Sequence, residues 1–335
     1  FVISKMLEKL VSVRQNDHLD VISTLPPVQS AYRRNFSTET ALTRVMSDLL
    51  MAADVGNVSM LALLDLSAAF DTVDHAILLQ RLTTSQDGST HSWFASYLTD
   101  RVQSVCFAGI TAPPTPVLHG VPQGSVLGPL LFLLYTSDIP NIAQLHGLLC
   151  QCYADDTQLY FHLKPHDTIP AVSRLESCIE NIHKWLASNR LKLNPDKTEF
   201  MWCSSARRAG TFHQPTLSVG QSVITSTTAV RNLGVMLRSD LSMDDQISAV
   251  VRSCYYNIRQ LRAIRSSLTR EALCDAAYAL ILSRLDYCNA LYVNLPATSV
   301  HRLQMIINTA ARVISGRSRF SHITDFIKDD LHWLP

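Results

Sequence analysis

Residues 145–163 read LHGLLCQCYADDTQLYFHL, and two apolar runs there flank the tetrapeptide Tyr153-Ala154-Asp155-Asp156. The runs are short, so they are predicted to pair as a β-hairpin with both acids at its tip. Two adjacent carboxylates cannot both ionise cheaply unless a cation compensates them, which indicates a metal site. Asp-Asp is also ordinary turn chemistry, and for the tetrapeptide alone that second interpretation is the better one.

The composition describes a globular chain. Its 335 residues can bury a sizeable core, and the length predicts two or three domains or subdomains. Charged residues make up 17% and apolar residues 47%, which excludes a disordered chain. The net charge is only +1, so a nucleic-acid partner is not indicated by the whole chain, and a local basic face remains open. The chain starts at Phe1 rather than Met, and we expect it to be part of a longer protein.

The eight cysteines form no C-x-x-C pair and lie mostly within apolar stretches. They are predicted to be reduced, buried thiols of an intracellular protein, and a zinc site is not expected. No apolar run reaches the length of a membrane span, and no signal sequence opens the chain. A membrane is therefore not expected among the partners.

The spacing of apolar residues, together with Gly, Pro and capping residues between the apolar segments, predicts an α+β fold. In the N-terminal half we predict a helix over 1–25 with Met6, Leu7, Leu10 and Val11 on one face, and a second helix that is capped by Thr38, carries the apolar positions from Leu42 to Ala53 and ends at residues 54–56. After these we predict a strand over 60–66, a helix over 75–82 capped by Asp74, a helix over 93–98 and short strands over 102–107 and 115–119. After these follow the helix LLFLLYTSD, the hairpin, an amphipathic helix over 169–186, a strand over 197–203 and three helices over 244–268, 270–293 and 299–315.

The middle of the chain thus has the order β-α-β-β-α-β, which is the split βαβ arrangement. In that fold the first and third strands are central neighbours, so Asp65 is expected beside Asp155 and Asp156. Three carboxylates at one place suit Mg²⁺, which usually shares its coordination shell with substrate phosphates. Two such ions about 3.5–4 Å apart would activate an attacking hydroxyl and stabilise leaving pyrophosphate. The predicted chemistry is nucleotidyl transfer.

Seven motifs, in this order, are similar to those of one family. They are QSAYRRNFSTETAL (29–42), LLDLSAAFDTVDH (63–75), GVPQGSVLGPLLF (120–132), YADDTQLY (153–160), LKLNPDKTEF (191–200), NLGVML (232–237) and ILSRLDYCNALY (281–292). Together they closely resemble the reverse transcriptases of non-LTR (LINE-type, jockey-like) retrotransposons. The resemblance implies a right-hand polymerase in which residues 1–241 form the fingers and a split βαβ palm and residues 242–335 an all-helical thumb truncated at its C-terminus.

The resemblance also implies an activity and its partners. The activity is RNA-directed DNA polymerisation, in which a DNA primer is extended with deoxynucleoside triphosphates on an RNA template. Two Mg²⁺ ions would be required, with Mn²⁺ as an alternative, and an active element would work in the nucleus at its site of integration. No part of the sequence resembles the endonuclease domain that such proteins carry upstream, so the chain is expected to be a fragment.

The site residues follow from the matching positions. Asp65 and Asp155 are the implied metal ligands, with Asp156 beside them in a lesser role, and Lys197 is the implied proton donor to pyrophosphate. The resemblance further implies that Phe70 excludes a ribose 2′-hydroxyl, although it also suits a core position.

Two loops carry the remaining implied contacts. Gln123 and Gly124 of the glycine loop would face the incoming nucleotide and template, and a plain turn is the alternative. Arg33 would hold the triphosphate as a bidentate donor, with a solvated loop arginine as the alternative. Ala31 and Phe36 depart from the family pattern, which commonly has Gly and His at these two positions of the fingers loop.

The C-terminal stretch is locally basic. Between Arg252 and Arg319 stand ten arginines and three acids, a net +7, and the arginines are 252, 259, 262, 265, 270, 284, 302, 312, 317 and 319. A thumb that grips the template–primer duplex through its phosphates explains this charge, and a helical bundle with a solvated basic face explains it equally well. Two alternatives to the polymerase therefore stay open: a decayed or domesticated nucleic-acid-binding domain, and another nucleotidyl transferase on the same palm.

Overall fold

Helices surround one four-stranded sheet. The structure is a computed structural model that describes residues 2–21, 24–85, 88–122, 124–318 and 320–333. The helices are, in chain order, α1 (Val2–Val21), α2 (Thr38–Asp54), α3 (His75–Ser85), α4 (Gly88–Leu98), α5 (Gly128–Tyr135), α6 (Ile139–Leu145), α7 (Thr168–Ser188), α8 (Asp244–Ile264), α9 (Arg270–Ala277), α10 (Ser283–Asp286) and α11 (Ala297–Ser315). Within these described helices, none is long and apolar enough to cross a membrane.

The strands form one main sheet and several two-stranded ribbons. They are β1 (Val58–Leu64), β2 (Leu66–Ser67), β3 (Val102–Gln103), β4 (Cys106–Phe107), β5 (Ile110–Thr111), β6 (Thr115–Pro116), β7 (Leu149–Tyr153), β8 (Asp156–Leu163), β9 (Lys192–Leu193), β10 (Glu199–Cys203), β11 (Leu217–Val219), β12 (Ser222–Ile224), β13 (Ala229–Asn232) and β14 (Val235–Arg238). The main sheet has the order β10-β1-β8-β7, with every neighbouring pair antiparallel. The predicted split βαβ arrangement, with β1 and β8 as central neighbours, is confirmed.

Both faces of the main sheet are covered. In β1, Met60 and Ala62 belong to the core on the side of α5 and α7, whereas Leu61 belongs to a second core with residues of α2. A strand that is buried on both faces needs apolar residues at consecutive positions, which explains why VSMLALL does not alternate. The acids at the end of β1 and at the tip of the β7–β8 hairpin thus project from a fixed frame.

The C-terminal helices have a core of their own and also contact the sheet unit. Buried side chains of α8, α9 and α11 pack together, among them Ile258, Leu273 and Ile306. The core between α2 and the sheet extends to β14 and to Cys288 and Leu291. The C-terminal helices are therefore docked against the rest of the chain through this shared core.

Helix α1 differs from its prediction. The predicted apolar stripe is largely exposed, with Met6 67%, Leu7 50% and Leu10 52% accessible, whereas Glu8 and Gln15 are buried. Glu8 faces inward because its carboxylate accepts a hydrogen bond from the Val126 amide at 2.7 Å. A partly buried side-chain hydrogen bond thus outweighs the apolar pattern in setting the orientation of this helix.

Helix α2 is capped one residue earlier than predicted. Ser37, not Thr38, is the N-cap, since its Oγ accepts a hydrogen bond from the Thr40 amide at 3.1 Å. The Ser37 amide in turn donates to Thr40 Oγ1 at 2.8 Å, which completes a capping box. The predicted cap of α3 is confirmed, because Asp74 Oδ1 accepts hydrogen bonds from the amides of Ala76 and Ile77.

The helix predicted over 270–293 is broken. After α9 the chain forms a π-helical turn over Tyr278–Leu282, and Cys288 has a left-handed φ of 55°. The break lets buried Cys288 and Leu291 join the core with α2, and the Glu39 carboxylate accepts a hydrogen bond from the Ala290 amide at 2.8 Å. Tertiary contacts therefore override a continuous helical pattern here.

Most cysteines are buried, as predicted, with one exception. Cys106 lies exposed in β4, and Cys274 is half-buried. All eight are free thiols.

Candidate active site at the acid turn

The acid turn, residues 153–156, joins the edge strand β7 to the central strand β8 through two residues. Tyr153 pairs with Asp156, so Ala154 and Asp155 form the turn itself. Ala154 has φ of 56°, in the left-handed region that a Cβ atom disfavours. The hairpin register fixes Asp155 at the tip and Asp156 as the first residue of β8.

Asp65 lies beside this turn because it follows β1 directly. Leu64 pairs with Thr157, which places Asp65 next to the start of β8. Its backbone carbonyl accepts a hydrogen bond from the Asn194 amide at 2.9 Å, and the β2–β9 pair continues from there. Its Oδ2 atom is buried and has no hydrogen-bond partner in the structure.

The three carboxylates repel one another. Burial, followed by the charges of Asp155 and Asp65, raises the pKa of Asp156 to about 6. Burial and the charge of Asp65 also raise the pKa of Asp155. Asp155 in turn contributes to the raised pKa of Tyr32, whose main cause is burial. The turn therefore concentrates negative charge.

Lys197 is the nearest cation to these acids for which the structure gives a contact. Its Nζ lies 3.6 Å from Asp65 Oδ2, an ion-pair distance beyond hydrogen-bond range. The lysine ends a 3-10 turn over Pro195–Lys197, so the strand predicted from 197 begins at Glu199 instead. Proline fixes the start of this turn, and the lysine side chain is 69% exposed above the carboxylate.

A small cavity of about 190 Å³ adjoins the acids. Its lining includes Asp65, Asp156, Lys197 and Arg231, together with the buried Gln158. A larger cleft of about 1070 Å³ lies between α2, α3 and the edge of β7, and no predicted site residue is among its lining residues. The size of a cavity therefore does not identify the candidate active site. The charged residues around the smaller cavity do identify it.

The Phe70 ring packs in the core, and the Phe70 backbone contacts the glycine loop, which is part of the predicted site. Its ring stacks on Phe132 with centroids 4.4 Å apart, and it is only partly buried. Its carbonyl accepts a hydrogen bond from the Val121 amide at 2.9 Å, which joins the turn after β2 to the glycine loop. Both interpretations of Phe70 thus remain compatible with its surroundings.

The glycine loop, residues 120–128, is tightly built at its start. Gly120 has φ of 85°, and a Cβ there would stand 2.8 Å from the Asp71 carbonyl oxygen, so only glycine fits. Gly124 also has a positive φ, of 76°, but open space around it. Gln123, the other predicted contact of this loop, lies outside the described residues.

Glu8 is a residue that sequence patterns missed. Its bond to the Val126 amide fastens α1 to the glycine loop, directly before α5. Glu8 lies outside the predicted apolar stripe of α1, so the hydrophobic pattern gives no signal for its burial. Sequence alone gives no way to tell such an acid from a solvated one.

Arg33 is engaged in its own loop. Its Nη1 donates to the carbonyls of Pro26 at 2.9 Å and Gln29 at 3.1 Å. Its guanidinium carbon also lies 4.7 Å from the centre of the Phe36 ring. Phe36 therefore supports Arg33 in this chain, and a contact of Arg33 with a triphosphate stays a prediction.

The basic residues of the C-terminal helices mostly face outward. Eight of the predicted arginines are exposed: 252, 259, 262, 265, 270, 284, 302 and 317. Arg312 is half-buried and donates to the Ser321 carbonyl at 3.3 Å, and Arg319 lies outside the described residues. Arg252 and Arg259 share one face of α8 with Tyr256, which is 55% exposed.

No group of three or more His, Cys, Asp or Glu side chains in the described part of the chain has an arrangement that could hold a metal ion by itself. The donor chemistry at the acid turn nevertheless fits a divalent cation, because three carboxylates repel one another and one buried oxygen, Asp65 Oδ2, accepts no hydrogen bond. Mg²⁺ is usually held by one or two protein carboxylates with substrate phosphates and waters, so a complete protein cage is not required.

A split βαβ palm with paired acids at a hairpin tip, flanked by helices on both sides, defines a right-hand polymerase. The family model described as reverse transcriptase (RNA-dependent DNA polymerase) matches residues 1–237. The chain belongs to this family.

Curated relatives specify the group within the family. The probable RNA-directed DNA polymerase from transposon BS of Drosophila melanogaster is 27% identical, over 98% of this chain and 37% of that protein. The RNA-directed DNA polymerase from mobile element jockey of the same fly is 24% identical, over 98% of this chain and 36% of that protein. The resemblance to reverse transcriptases of non-LTR retrotransposons is thus confirmed, and the chain spans a little over a third of the length of these relatives.

A solved structure supports the fold. Telomerase from Candida tropicalis, determined with a fragment of telomeric RNA, superposes with a TM-score of 0.51 at 13% identity, over 97% of this chain and 57% of that one. At this identity the similarity concerns the fold alone.

Proposed function

We propose that this chain performs RNA-directed DNA synthesis, in which a primer 3′-hydroxyl attacks the α-phosphate of a deoxynucleoside triphosphate and pyrophosphate leaves. The observation that carries the proposal is the group of three mutually repelling carboxylates, Asp65, Asp155 and Asp156, at the tip of a polymerase palm. Such a group is costly to keep unless a cation-dependent reaction uses it.

Asp65 and Asp155 would hold divalent cations, with Asp156 in an adjacent and weaker role. When bound, two Mg²⁺ ions would lower the pKa of the primer hydroxyl and stabilise the leaving pyrophosphate, and Mn²⁺ could replace them. The buried Oδ2 of Asp65, which accepts no hydrogen bond and lies 3.6 Å from Lys197 Nζ, supports this assignment.

Other residues of the chain orient the reactants. Lys197, 3.6 Å from Asp65, would donate a proton to pyrophosphate. The partly buried ring of Phe70 would exclude a ribose 2′-hydroxyl, and Gly124, together with Gln123, would contact nucleotide and template. Arg33 would bind the triphosphate through the guanidinium nitrogens that do not bond to Pro26 and Gln29.

Residues 1–241 would act as fingers and palm and residues 242–335 as thumb. The end of the family match at residue 237 supports this division. The exposed arginines of α8, with Arg252 and Arg259 on one face, would contact duplex phosphates. In an intact element the template is the RNA of the element, the primer is nicked chromosomal DNA, and the reaction takes place in the nucleus.

Primer extension on an RNA template with Mg²⁺ tests the proposal. We expect the unsubstituted chain to incorporate deoxynucleotides and Asp155→Asn to lose this activity while it still binds the duplex. Extension that survives the substitution would disprove the site assignment. Duplex binding without extension by either protein would favour a nucleic-acid-binding domain without catalysis.

A further inference from the structure

The side chain of Gln29 forms hydrogen bonds with both the amide and the carbonyl of Ala154 in the acid turn. Its side-chain Oε1 accepts a hydrogen bond from the Ala154 amide at 3.1 Å, and its Nε2 donates to the Ala154 carbonyl at 3.3 Å. The same Oε1 accepts the Ala31 amide at 3.0 Å. Gln29 is only 5% exposed, so these bonds are shielded from competing water.

The turn needs such support at this residue. Ala154 has a left-handed φ of 56°, which alanine disfavours and glycine adopts freely. A side-chain amide that pairs with both the N–H and the C=O of one residue fixes the peptide planes on either side of it. One of those planes leads directly to Asp155.

The segment that carries Gln29 is itself fastened to β7. Gln29 forms a parallel bridge with Cys152, and the Ser30 amide donates to the Cys152 carbonyl at 2.9 Å. Gln151 adds bonds from its Nε2 to the Val28 carbonyl and to Ser30 Oγ, both at 2.8 Å. Gln151 thus docks the segment, and its Nε2 also donates to the Cys152 carbonyl at 3.3 Å, one residue before the turn.

We infer that Gln29 is a positioning residue, which holds the acid turn in its left-handed conformation and thereby sets the place of Asp155. The catalytic part of this inference rests on the proposed function. Because Arg33 donates to the Gln29 carbonyl at 3.1 Å, the same residue also ties the fingers loop to the turn.

Gln29→Met is the sharpest variant, because methionine has a similar length and volume but cannot form these hydrogen bonds. Gln151→Met is the matched control: it removes buried glutamine bonds that dock the same segment without touching residues 153–156. Gln29→Glu is the second variant in case Gln29→Met does not fold, since it keeps the acceptor for the Ala154 amide and loses the donor.

We expect Gln29→Met to lower kcat for primer extension about 10- to 100-fold, because a displacement of about 1 Å at a reacting centre has effects of this size. The KM for deoxynucleotide should change little, and Gln151→Met should lose much less activity. Adding Ala154→Gly to Gln29→Met should restore part of the lost kcat, because glycine needs no support at a left-handed φ. If Gln29 had a purely structural role, Gln29→Met and Gln151→Met would lose kcat equally, and Ala154→Gly would not restore the kcat of Gln29→Met. Equal losses of kcat would overturn the inference, and so would the absence of rescue.

Amide hydrogen exchange of residues 153–157 provides a readout that does not depend on catalysis. In the substrate-free protein, we expect the Ala154 amide to exchange at least about tenfold faster in Gln29→Met than in Gln151→Met. Equal exchange in the two variants would overturn the inference even if the unsubstituted chain is active. Faster exchange in an unsubstituted chain that fails to extend primers would support the positioning role and count against the proposed function alone.

Discussion

The acid turn and the C-terminal helices α8–α11, which we propose to form the thumb, differ in how their charged side chains are arranged. At the acid turn, three carboxylates are placed by strand register within one hairpin and the adjoining strand end, and burial together with their mutual repulsion raises the pKa of Asp155 and Asp156. On the thumb, arginines are spread over exposed helix faces, and Arg252 and Arg259 form no ion pair within the described part of the chain. One region concentrates charge, and the other distributes it.

The difference matches two kinds of task. A reaction requires a few groups at fixed positions, so strand pairing and buried bonds determine them. A grip on duplex phosphates requires many weak contacts of similar strength, and flexible side chains on helices supply these. Substitutions at the acid turn should therefore act on the rate, and substitutions on the thumb should act on binding in small steps.

The largest effect is expected for Asp155→Asn. Loss of this carboxylate should lower primer extension by about 10³-fold or more, because an electrostatic group acts most strongly in the transition state. Duplex binding at low salt should stay within about threefold of the unsubstituted value, since in the proposed function the arginines of the C-terminal helices supply most phosphate contacts. Single-turnover kinetics and a filter-binding assay measure the two quantities, and a loss of binding equal to the loss of rate would erase the contrast between the regions.

Phe70→Ala should change selectivity. Removing the ring opens space beside the nucleotide, so discrimination between deoxy- and ribonucleotides should fall about 10- to 100-fold. Phe132→Leu is the control, because it removes the 4.4 Å stacking partner of Phe70 but leaves the Phe70 ring in place. Ratios of kcat/KM for the two nucleotide types decide the case, and equal loss in both variants would assign Phe70 to the core alone.

A smaller effect is expected for the double variant Arg252→Gln/Arg259→Gln. If both arginines contact phosphates, duplex affinity should fall about tenfold at moderate salt, and the slope of log K against log salt should decrease by roughly 0.9 per lost contact. The rate at saturating duplex should not change. Arg238→Gln serves as control, because Arg238 is paired with Asp240 and Asp245. An unchanged salt slope in the double variant would identify the arginines as a solvated face only.

The smallest effect concerns stability without metal. Asp156 has a folded pKa of about 6 against an ordinary value of 3.8, so the native state binds more protons than the unfolded state between these values. The folded state therefore loses stability as pH rises from about 4 to 6. In EDTA, Asp156→Asn should raise Tm at pH 7.5 and have little effect at pH 4. A gain in Tm that is the same at both pH values would show that repulsion among the carboxylates is not its cause.

Strand pairing explains why the acids could be predicted. Two apolar runs around a short polar turn leave one hairpin register, and the β-α-β-β-α-β order leaves one central partner for β1. The positions of Asp65, Asp155 and Asp156 follow from these two patterns alone. Lys197 is expected only from the family resemblance, and the turn over Pro195–Lys197, which begins beside the Asp65 backbone, places its Nζ 3.6 Å from Asp65.

Other features depend on contacts that leave no local signature. Gln29 and Ala154 are 125 positions apart, and nothing near either residue indicates their pairing. The orientation of α1 depends on one bond from Glu8 to a loop amide 118 positions away. The helix predicted over 270–293 is interrupted at Cys288, and this interruption depends on packing against α2 rather than on any helix-stopping residue. Contacts between residues more than 100 positions apart in the sequence override hydrophobic periodicity, because periodicity depends only on residues that are close in sequence.

The central pairing of the sheet has a consequence during synthesis on the ribosome. Ser59 in β1 and His162 in β8 bond across the sheet at 2.8 Å although they are 103 positions apart. At about 5–20 residues per second, β1 leaves the ribosome roughly 5–20 s before its central partner is made. For that time its apolar run VSMLALL has no sheet to join, so the nascent chain requires shielding by a chaperone or by α2, which is already complete.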